Sequence, residues 1–296
     1  MSGHSSINQP LVGRTAIIGV GLMGGSIGLA LRSRKISSQV VGCDSSLVLT
    51  EAIDVGAIDP DGSATEPQKA VEGADLIILA VPIHAMRGVL QAIAPYVAAN
   101  AVVTDIGSIK SSIVHWGSET VGRAFIAGHP MAGSERTGVH AARHGMFDGA
   151  AWALIPPTVE PEYEAEAALR LNTLSAVVTA MGARPIITSS ARHDRAAALV
   201  SHLPHLISFA YNETIESDTE ALLAHNLAAG SYRDLTRVAA SDPVLWRDVF
   251  LENREWLLCA LERYRHCLSD LEHSILTGEP EQLLKRLQSA AIHLPN

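Results

Sequence analysis

Over its first 190 or so residues the chain alternates short runs rich in Val and Ile with helix-length segments, and then the alternation stops. Residues 16–20, 39–43, 75–81, 101–105 and 124–128 are brief, apolar and bounded by Gly, Asp, Pro or Asn, which predicts strands. Residues 22–34, 46–55, 84–98 and 110–117 lie between them with the length and periodicity of helices. Strands apolar on both faces, joined by helices, predict a parallel sheet covered on both sides. A further strand pair is expected at 151–155 and 184–188, flanking a helix across 162–181. From Ser190 onward only helical periodicity remains, broken near Gly230, at Asp242-Pro243 and around Gly278. Pro204 should kink or interrupt the helix it falls in. The expected division is an α/β domain over residues 1–189 and an all-α domain over residues 190–296.

Composition narrows the partners. The chain has 296 residues, 31 of them acidic and 22 basic, for a formal charge of −9, and 47% are hydrophobic. That fraction is too high for a disordered chain, and an acidic surface without a basic run argues against nucleic acid. The longest strongly apolar stretch, 74–82, falls far short of the roughly 20 residues that span a bilayer. The start, MSGHSSINQP, lacks the basic residues and apolar core of a signal peptide. Cys43, Cys259 and Cys267 show no CxxC spacing and read as buried thiols in a reducing compartment. A cytoplasmic protein with a small-molecule substrate is expected.

The first strand runs into Gly19-Val20-Gly21-Leu22-Met23-Gly24, a GxGxxG pattern that opens the first helix. The glycines allow a tight turn and let a pyrophosphate approach the backbone, while the helix N-terminus offers free N–H groups. Asp44 follows Gly24 by 20 residues, at the end of the second expected strand. An acid there accepts hydrogen bonds from a ribose 2′-hydroxyl and repels a 2′-phosphate, and Ser45 and Ser46 supply no arginine for one. The α/β half is therefore read as a Rossmann-type domain that binds NAD, with Val81 and Pro82 closing the third strand on the ligand side.

Two later strand ends carry dense polar sequence: Thr104-Asp105-Ile106-Gly107-Ser108-Ile109-Lys110 and Gly128-His129-Pro130-Met131-Ala132-Gly133-Ser134-Glu135. Both should face the cofactor crevice. In the helical half, Ser201-His202-Leu203-Pro204-His205 sets two histidines three apart, and Tyr232-Arg233-Asp234-Leu235-Thr236-Arg237 follows. The two histidines, with His193 and Asp194 nearby, raise the alternative of a metal. A zinc site needs about three protein ligands, and no metal is expected here. His129 is read as a general base, since imidazole titrates near neutrality.

These segments resemble the prephenate/arogenate dehydrogenase family of tyrosine biosynthesis. The match extends over nearly the whole chain, from GVGLMGGS through DIGSIK, GHPMAGSE and SHLPH to DLTRVAASDPVLWRDVFLEN. The resemblance implies NAD(P)-dependent oxidative decarboxylation of a cyclohexadienol to a 4-hydroxyphenyl product, on a Rossmann domain followed by a helical domain that builds a homodimer. It implies that His129 takes the proton of the ring 4-hydroxyl as hydride leaves C4, and that Ser108 contacts that hydroxyl. It further implies that Arg237 binds a substrate carboxylate, that His205 touches substrate, and that Ser134 and Glu135 lie near its side chain. Prephenate is preferred as substrate, with arogenate, or both, as the alternative.

A 3-hydroxyacid dehydrogenase has a similar layout but uses a lysine at the start of its helical half, and no lysine lies between Lys110 and Lys285. A non-catalytic NAD-binding sensor would not need Ser108, His129, His205 and Arg237 around one crevice. With 43 residues after Asn253 and 13 before Arg14, regulation is expected at the active site and not through an added domain. Tyrosine inhibition would then be competitive.

Overall fold

The computed structural model describes residues 9–134 and 136–291. Seven strands form one sheet in the order β2-β1-β3-β4-β5-β6-β7, with β1 Val12–Ile18, β2 Ser37–Cys43, β3 Leu76–Leu79, β4 Val102–Asp105, β5 Phe125–Pro130, β6 Ala151–Ile155 and β7 Arg184–Ile187. The first five run parallel, and β1 lies between β2 and β3, with Ile17 opposite both Gly42 and Ile78. The chain order reverses beside β1, which opens a crevice at the carboxyl ends of the strands.

Helices cover both faces of this sheet: α1 Leu22–Ser33, α2 Ser46–Asp54, α3 Pro67–Val71, α4 Ile83–Ile93, α5 Ser111–Thr120 and α6 Glu164–Ala180. Side chains alternate across the pleat, so β1 alone feeds two cores. Ile17 joins Ile27, Leu31, Ile78, Ile126 and Val177 on one side. Ile18 joins Ile77, Leu79, Met86, Leu90 and Val103 on the other. Every residue of β3, β4 and β5 is buried, which is why these strands read as continuous apolar runs in the sequence.

The sheet departs from the expected all-parallel pattern at one place. Strand β6 is antiparallel to β5, with His129 opposite Ala153, and β7 is parallel to β6. A parallel return needs a crossing helix. The connection from β5 to β6 contains only the short 3₁₀ turn Val139–Ala141, so the chain re-enters from the end it left. The glycine-rich stretch after His129 consequently stays on the crevice side.

Beyond β7 the chain is helical: α7 Ser190–Ala197, α8 Leu203–Glu216, α9 Ala221–Leu227, α10 Gly230–Thr236, α11 Pro243–Glu252, α12 Arg254–Leu276 and α13 Pro280–Ala291. Between α7 and α8, residues Ala198–His202 form a π-helical turn in which Leu203 N–H bonds the Ala198 carbonyl five residues back. Pro204, which has no N–H to give, sits in the first turn of α8, where one is not required. The helix is widened before this proline and not broken by it. Trp246 and Val249 of α11 pack into the sheet core built on Ile18 and Leu79, joining the helical half to the nucleotide half. Cys43 is buried, but Cys259 and Cys267 are exposed on α12, contrary to the reading of all three as buried. That 23-residue helix buries only Leu257, Ala260 and Ser274, leaving most of its surface uncovered in the single chain. No helix among the described residues is long and apolar enough to cross a membrane.

Candidate active site

The glycine turn between β1 and α1 has the shape an extended anionic ligand needs. Gly19 has φ +92°, and a Cβ there would lie 2.5 Å from the Ala80 carbonyl oxygen and 3.2 Å from Val81 Cγ1, so only glycine fits against the end of β3. At Gly21 a Cβ would meet nothing within 4 Å. The space it would fill opens at the N-terminus of α1, where no side chain caps the helix and N–H groups are left for a ligand. Leu22, Met23 and Gly24 form the first turn of that helix. Asp44, at the end of β2, accepts from Val20 N–H at 2.9 Å and from Ser45 N–H at 2.8 Å, which fixes its carboxylate beside the turn. Pro82 follows β3 and immediately precedes α4. An NAD pyrophosphate and ribose fit this set of donors, open space and charge.

Ser108 is half-buried in the loop between β4 and α5, and His129 is buried within β5. A fully buried ion pair fixes the two strand ends relative to each other. Lys110 Nζ donates to Asp105 Oδ2 and, at 2.6 Å, to the Gly128 carbonyl, while Asp105 also accepts from Gly107 and Gly128 N–H. Burial pushes the Lys110 amine down from its usual range, and the Asp105 carboxylate opposes that push. Burying such a pair gains little net stability, but losing one partner would strand a charge at a cost of roughly 3–5 kcal/mol.

His129 does not stand alone. Its Nδ1 lies 2.8 Å from Nε2 of His193, whose own Nδ1 lies 2.8 Å from Asp194 Oδ1. The Asp194 carboxylate also accepts Lys110 N–H and Ser111 N–H, both at 2.8 Å, and the Ser111 hydroxyl at 2.5 Å. It thereby caps α5 from another helix, supplying the acceptor that the start of α5 lacks locally. Burial alone would raise the Asp194 carboxyl, but the hydrogen bonds from His193, Ser111 and the backbone hold it below the usual range. Burial, with the nearby His193, Lys110 and His202, holds His129 well below an ordinary imidazole, so the ring is neutral near pH 7.

The two histidines before and after Pro204 flank one ring. His205 stacks on Trp246, with centroids 3.5 Å apart, and its Nδ1 bonds the Ser201 carbonyl at 2.8 Å. His202 meets the same indole edge-on at 6.1 Å and takes Asn253 Nδ2–H at 2.9 Å. Burial, chiefly, and then His193 push His202 down to about 4. Burial also lowers His205, assisted by the positive charge of nearby Arg237, though the Ser201 contact works against it. Arg237 is exposed and pairs with no carboxylate among the described residues. Ser134 is exposed, its hydroxyl accepting Arg136 N–H, and Glu135 lies outside the described residues. Arg247 pairs with Asp248 at the surface. No group of three metal-binding side chains occurs among the described residues.

The histidine, acid and amide that support His129 escaped the sequence reading. His193 and Asp194 were weighed there only as metal donors, and Asn253 not at all. The available signal was the adjacency of His193 and Asp194 at the first turn of the first helix after the sheet.

A Rossmann-type sheet with an NAD-shaped glycine turn, and a buried neutral imidazole on the same crevice, define an NAD-dependent dehydrogenase. Two family models then account for most of the chain: the prephenate dehydrogenase nucleotide-binding domain matches residues 27–187, and the prephenate dehydrogenase dimerization domain matches 189–289. The chain belongs to the prephenate dehydrogenase family. The prephenate dehydrogenase of Lactococcus lactis subsp. cremoris is 34% identical over 90% of this chain and 72% of its own length. The cyclohexadienyl dehydrogenase of Zymomonas mobilis is 31% identical over 93% of this chain and 92% of its own. Among solved structures, A. aeolicus prephenate dehydrogenase in complex with hydroxyphenyl propionate and NAD+ superposes with TM-score 0.86 at 30% identity, covering 97% of this chain and 98% of that one. Synechocystis arogenate dehydrogenase gives 0.78 at 28% identity, covering 94% and 97%.

Proposed function

We propose that this chain oxidises and decarboxylates prephenate to 4-hydroxyphenylpyruvate, with His129 as the base and NAD+ as the oxidant. The observation that carries the reading is the imidazole of His129, neutral by burial and held at the end of a strand beside the Ser108 loop. A neutral imidazole takes the proton of the ring 4-hydroxyl, and general bases of this kind contribute about 10²–10⁴-fold. When bound, the nicotinamide supplies the acceptor for the hydride of C4. Loss of the ring carboxylate as CO₂ then returns electrons to the C4 oxygen, and the imidazolium gives its proton back to form the phenol. Protons balance, and aromaticity drives the step without a covalent nucleophile.

In this reading Ser108 contacts the hydroxyl, and Gly19, Gly21, Leu22, Met23, Gly24, Asp44, Val81 and Pro82 hold the cofactor. Arg237, exposed and uncompensated by a carboxylate among the described residues, binds a substrate carboxylate in competition with solvent. His205 lies beside it and contacts the substrate, and Ser134 and Glu135 are assigned to the substrate side chain. We divide the chain into the NAD domain 1–189 and the substrate and dimerisation domain 190–296, and we infer a homodimer in the cytoplasm. The unpaired state of its three cysteines supports the latter.

A second reading, arogenate as substrate alone or with prephenate, draws on His205. Its Nδ1 contacts the Ser201 carbonyl, so the neutral ring keeps a lone pair on Nε2 that suits an ammonium better than a keto oxygen. Following NADH formation with prephenate, arogenate and several 3-hydroxyacids tests all of this. Turnover with prephenate is expected; turnover with 3-hydroxyacids alone, or with none of them, would overturn the proposal.

A further inference from the structure

We propose that His193 and Asp194 are positioning residues that fix the tautomer of His129, so that the nitrogen facing the substrate is always the unprotonated one. The inference rests on His129 as the base and deepens it.

The chain of reasoning starts at the carboxylate. Asp194 Oδ1 receives Lys110 N–H and His193 Nδ1, and Oδ2 receives the N–H and hydroxyl of Ser111. The backbone N–H groups can only donate, so the carboxylate that meets them is ionised and accepts throughout. His193 Nδ1 must therefore carry a hydrogen. In its neutral form His193 has that one hydrogen only, which leaves Nε2 a bare acceptor. That atom faces His129 Nδ1 at 2.8 Å, and His129 Nδ1 must in turn carry the hydrogen. Nε2 of His129 is left with its lone pair. The other tautomer of His129 would set two lone pairs against each other in a buried site, where neither can turn to water.

The same relay answers the charge that forms when His129 takes a proton. The imidazolium keeps its Nδ1–H on His193, which is polarised in turn by a carboxylate that stays ionised. Three further groups bear on the pair: Lys110, whose ammonium is held by Asp105; His202, whose Nδ1 accepts from Asn253; and Asn253 itself, which also donates to the Asp194 carbonyl at 2.8 Å. None of these offers His129 Nδ1 an alternative acceptor among the described residues. Asn253 ties the relay to α11 and α12, which is how the helical half shapes a base that belongs to the sheet.

Two variants separate positioning from packing. His193→Gln can accept from His129 through its amide oxygen and donate to Asp194 through its amide nitrogen. His193→Phe fills the space without an acceptor. In full-length protein, His193→Phe should lower kcat by on the order of 10²-fold with little change in KM, and His193→Gln should restore much of the loss. ¹⁵N spectra of histidine-labelled enzyme should show His129 protonated at Nδ1 and bare at Nε2 in the wild type and the Gln variant, and a mixture in the Phe variant. Full kcat and an unchanged His129 signal in His193→Phe would overturn the proposal. So would a wild-type His129 protonated at Nε2, a result that stands even if the Phe variant does not fold. His129→Asn, assayed alongside, isolates the base reading: if it alone loses turnover, the relay is wrong and the base is right. If it keeps turnover, the base itself is wrong.

Discussion

At Asp44 a single carboxylate performs two tasks. Its oxygens take the N–H groups of Val20 and Ser45, holding the glycine turn against the end of β2, and in the proposed NAD site its charge would repel a 2′-phosphate. Replacement by alanine removes both effects at once, whereas Asp44→Asn keeps an acceptor and removes the charge. The ratio of kcat/KM for NADP+ to that for NAD+ should therefore rise by at least about tenfold in Asp44→Asn, consistent with losing one like-charge contact worth more than 1.4 kcal/mol. An unchanged ratio would show that the charge does not select the cofactor. This site was legible because its residues are local: three glycines and an acid at fixed spacing after a strand. The surroundings of His129 were not, because His193 is 64 residues away and its role depends on which nitrogen meets which. Adjacent His and Asp look the same in sequence whether they hold a metal or aim a base.

The segment from α7 through the π-turn to α8 shows how an element stores pH sensitivity. His202 is fully buried, accepts Asn253 N–H and has its other ring nitrogen without a partner among the described residues. Its pKa falls to about 4 on folding, against an unfolded value near 6.5. Below the unfolded value the unfolded chain binds the proton that the folded chain refuses. Stability is therefore complete above pH 6.5 and is lost as pH falls towards 4, by roughly 3 kcal/mol at about 1.4 kcal/mol per unit. Burial of His129 and His205 adds in the same direction. The thermal midpoint should drop across this window, and the slope should flatten in His202→Gln. A wild-type midpoint that is level from pH 6.5 to 4 would contradict the burial of a neutral imidazole. The sequence announced the disturbance through Pro204 but not its form. A proline predicts a missing donor, while the π-turn that precedes it is seen only in the structure, where His202 meets Asn253 and both histidines meet Trp246. The antiparallel turn into β6 was hidden for a similar reason, since strand direction depends on what the connection crosses.

On the scale of the whole molecule, the two halves differ in how completely they close. The strands and their covering helices form two continuous cores, whereas the helical half leaves large apolar side chains in solvent, among them Leu222 at 77%, Leu227 at 72% and Leu276 at 78% exposure. A soluble monomer seldom keeps so many, and the match to a dimerization domain falls on this half. Sedimentation equilibrium at micromolar concentration should give twice the chain mass of 31.4 kDa. A monomer would mean that these leucines meet something other than a second copy. The order of domains could be read from the alternation of short apolar runs with helical segments, which stops near residue 190 and leaves helical periodicity alone. The extent of the uncovered surface could not, because apolar residues that face a core and those that face a partner have the same spacing.

Steady-state kinetics of His129→Asn with prephenate and NAD+ test the central claim most directly. Asparagine keeps a polar side chain of similar reach but cannot take the proton. The account predicts a kcat lower by at least about 10²-fold with KM nearly unchanged. It also predicts a wild-type kcat/KM that stays level through neutral pH and declines only well below 6.5, since burial depresses the pKa of the base. A His129→Asn enzyme with the turnover of the wild type would contradict it.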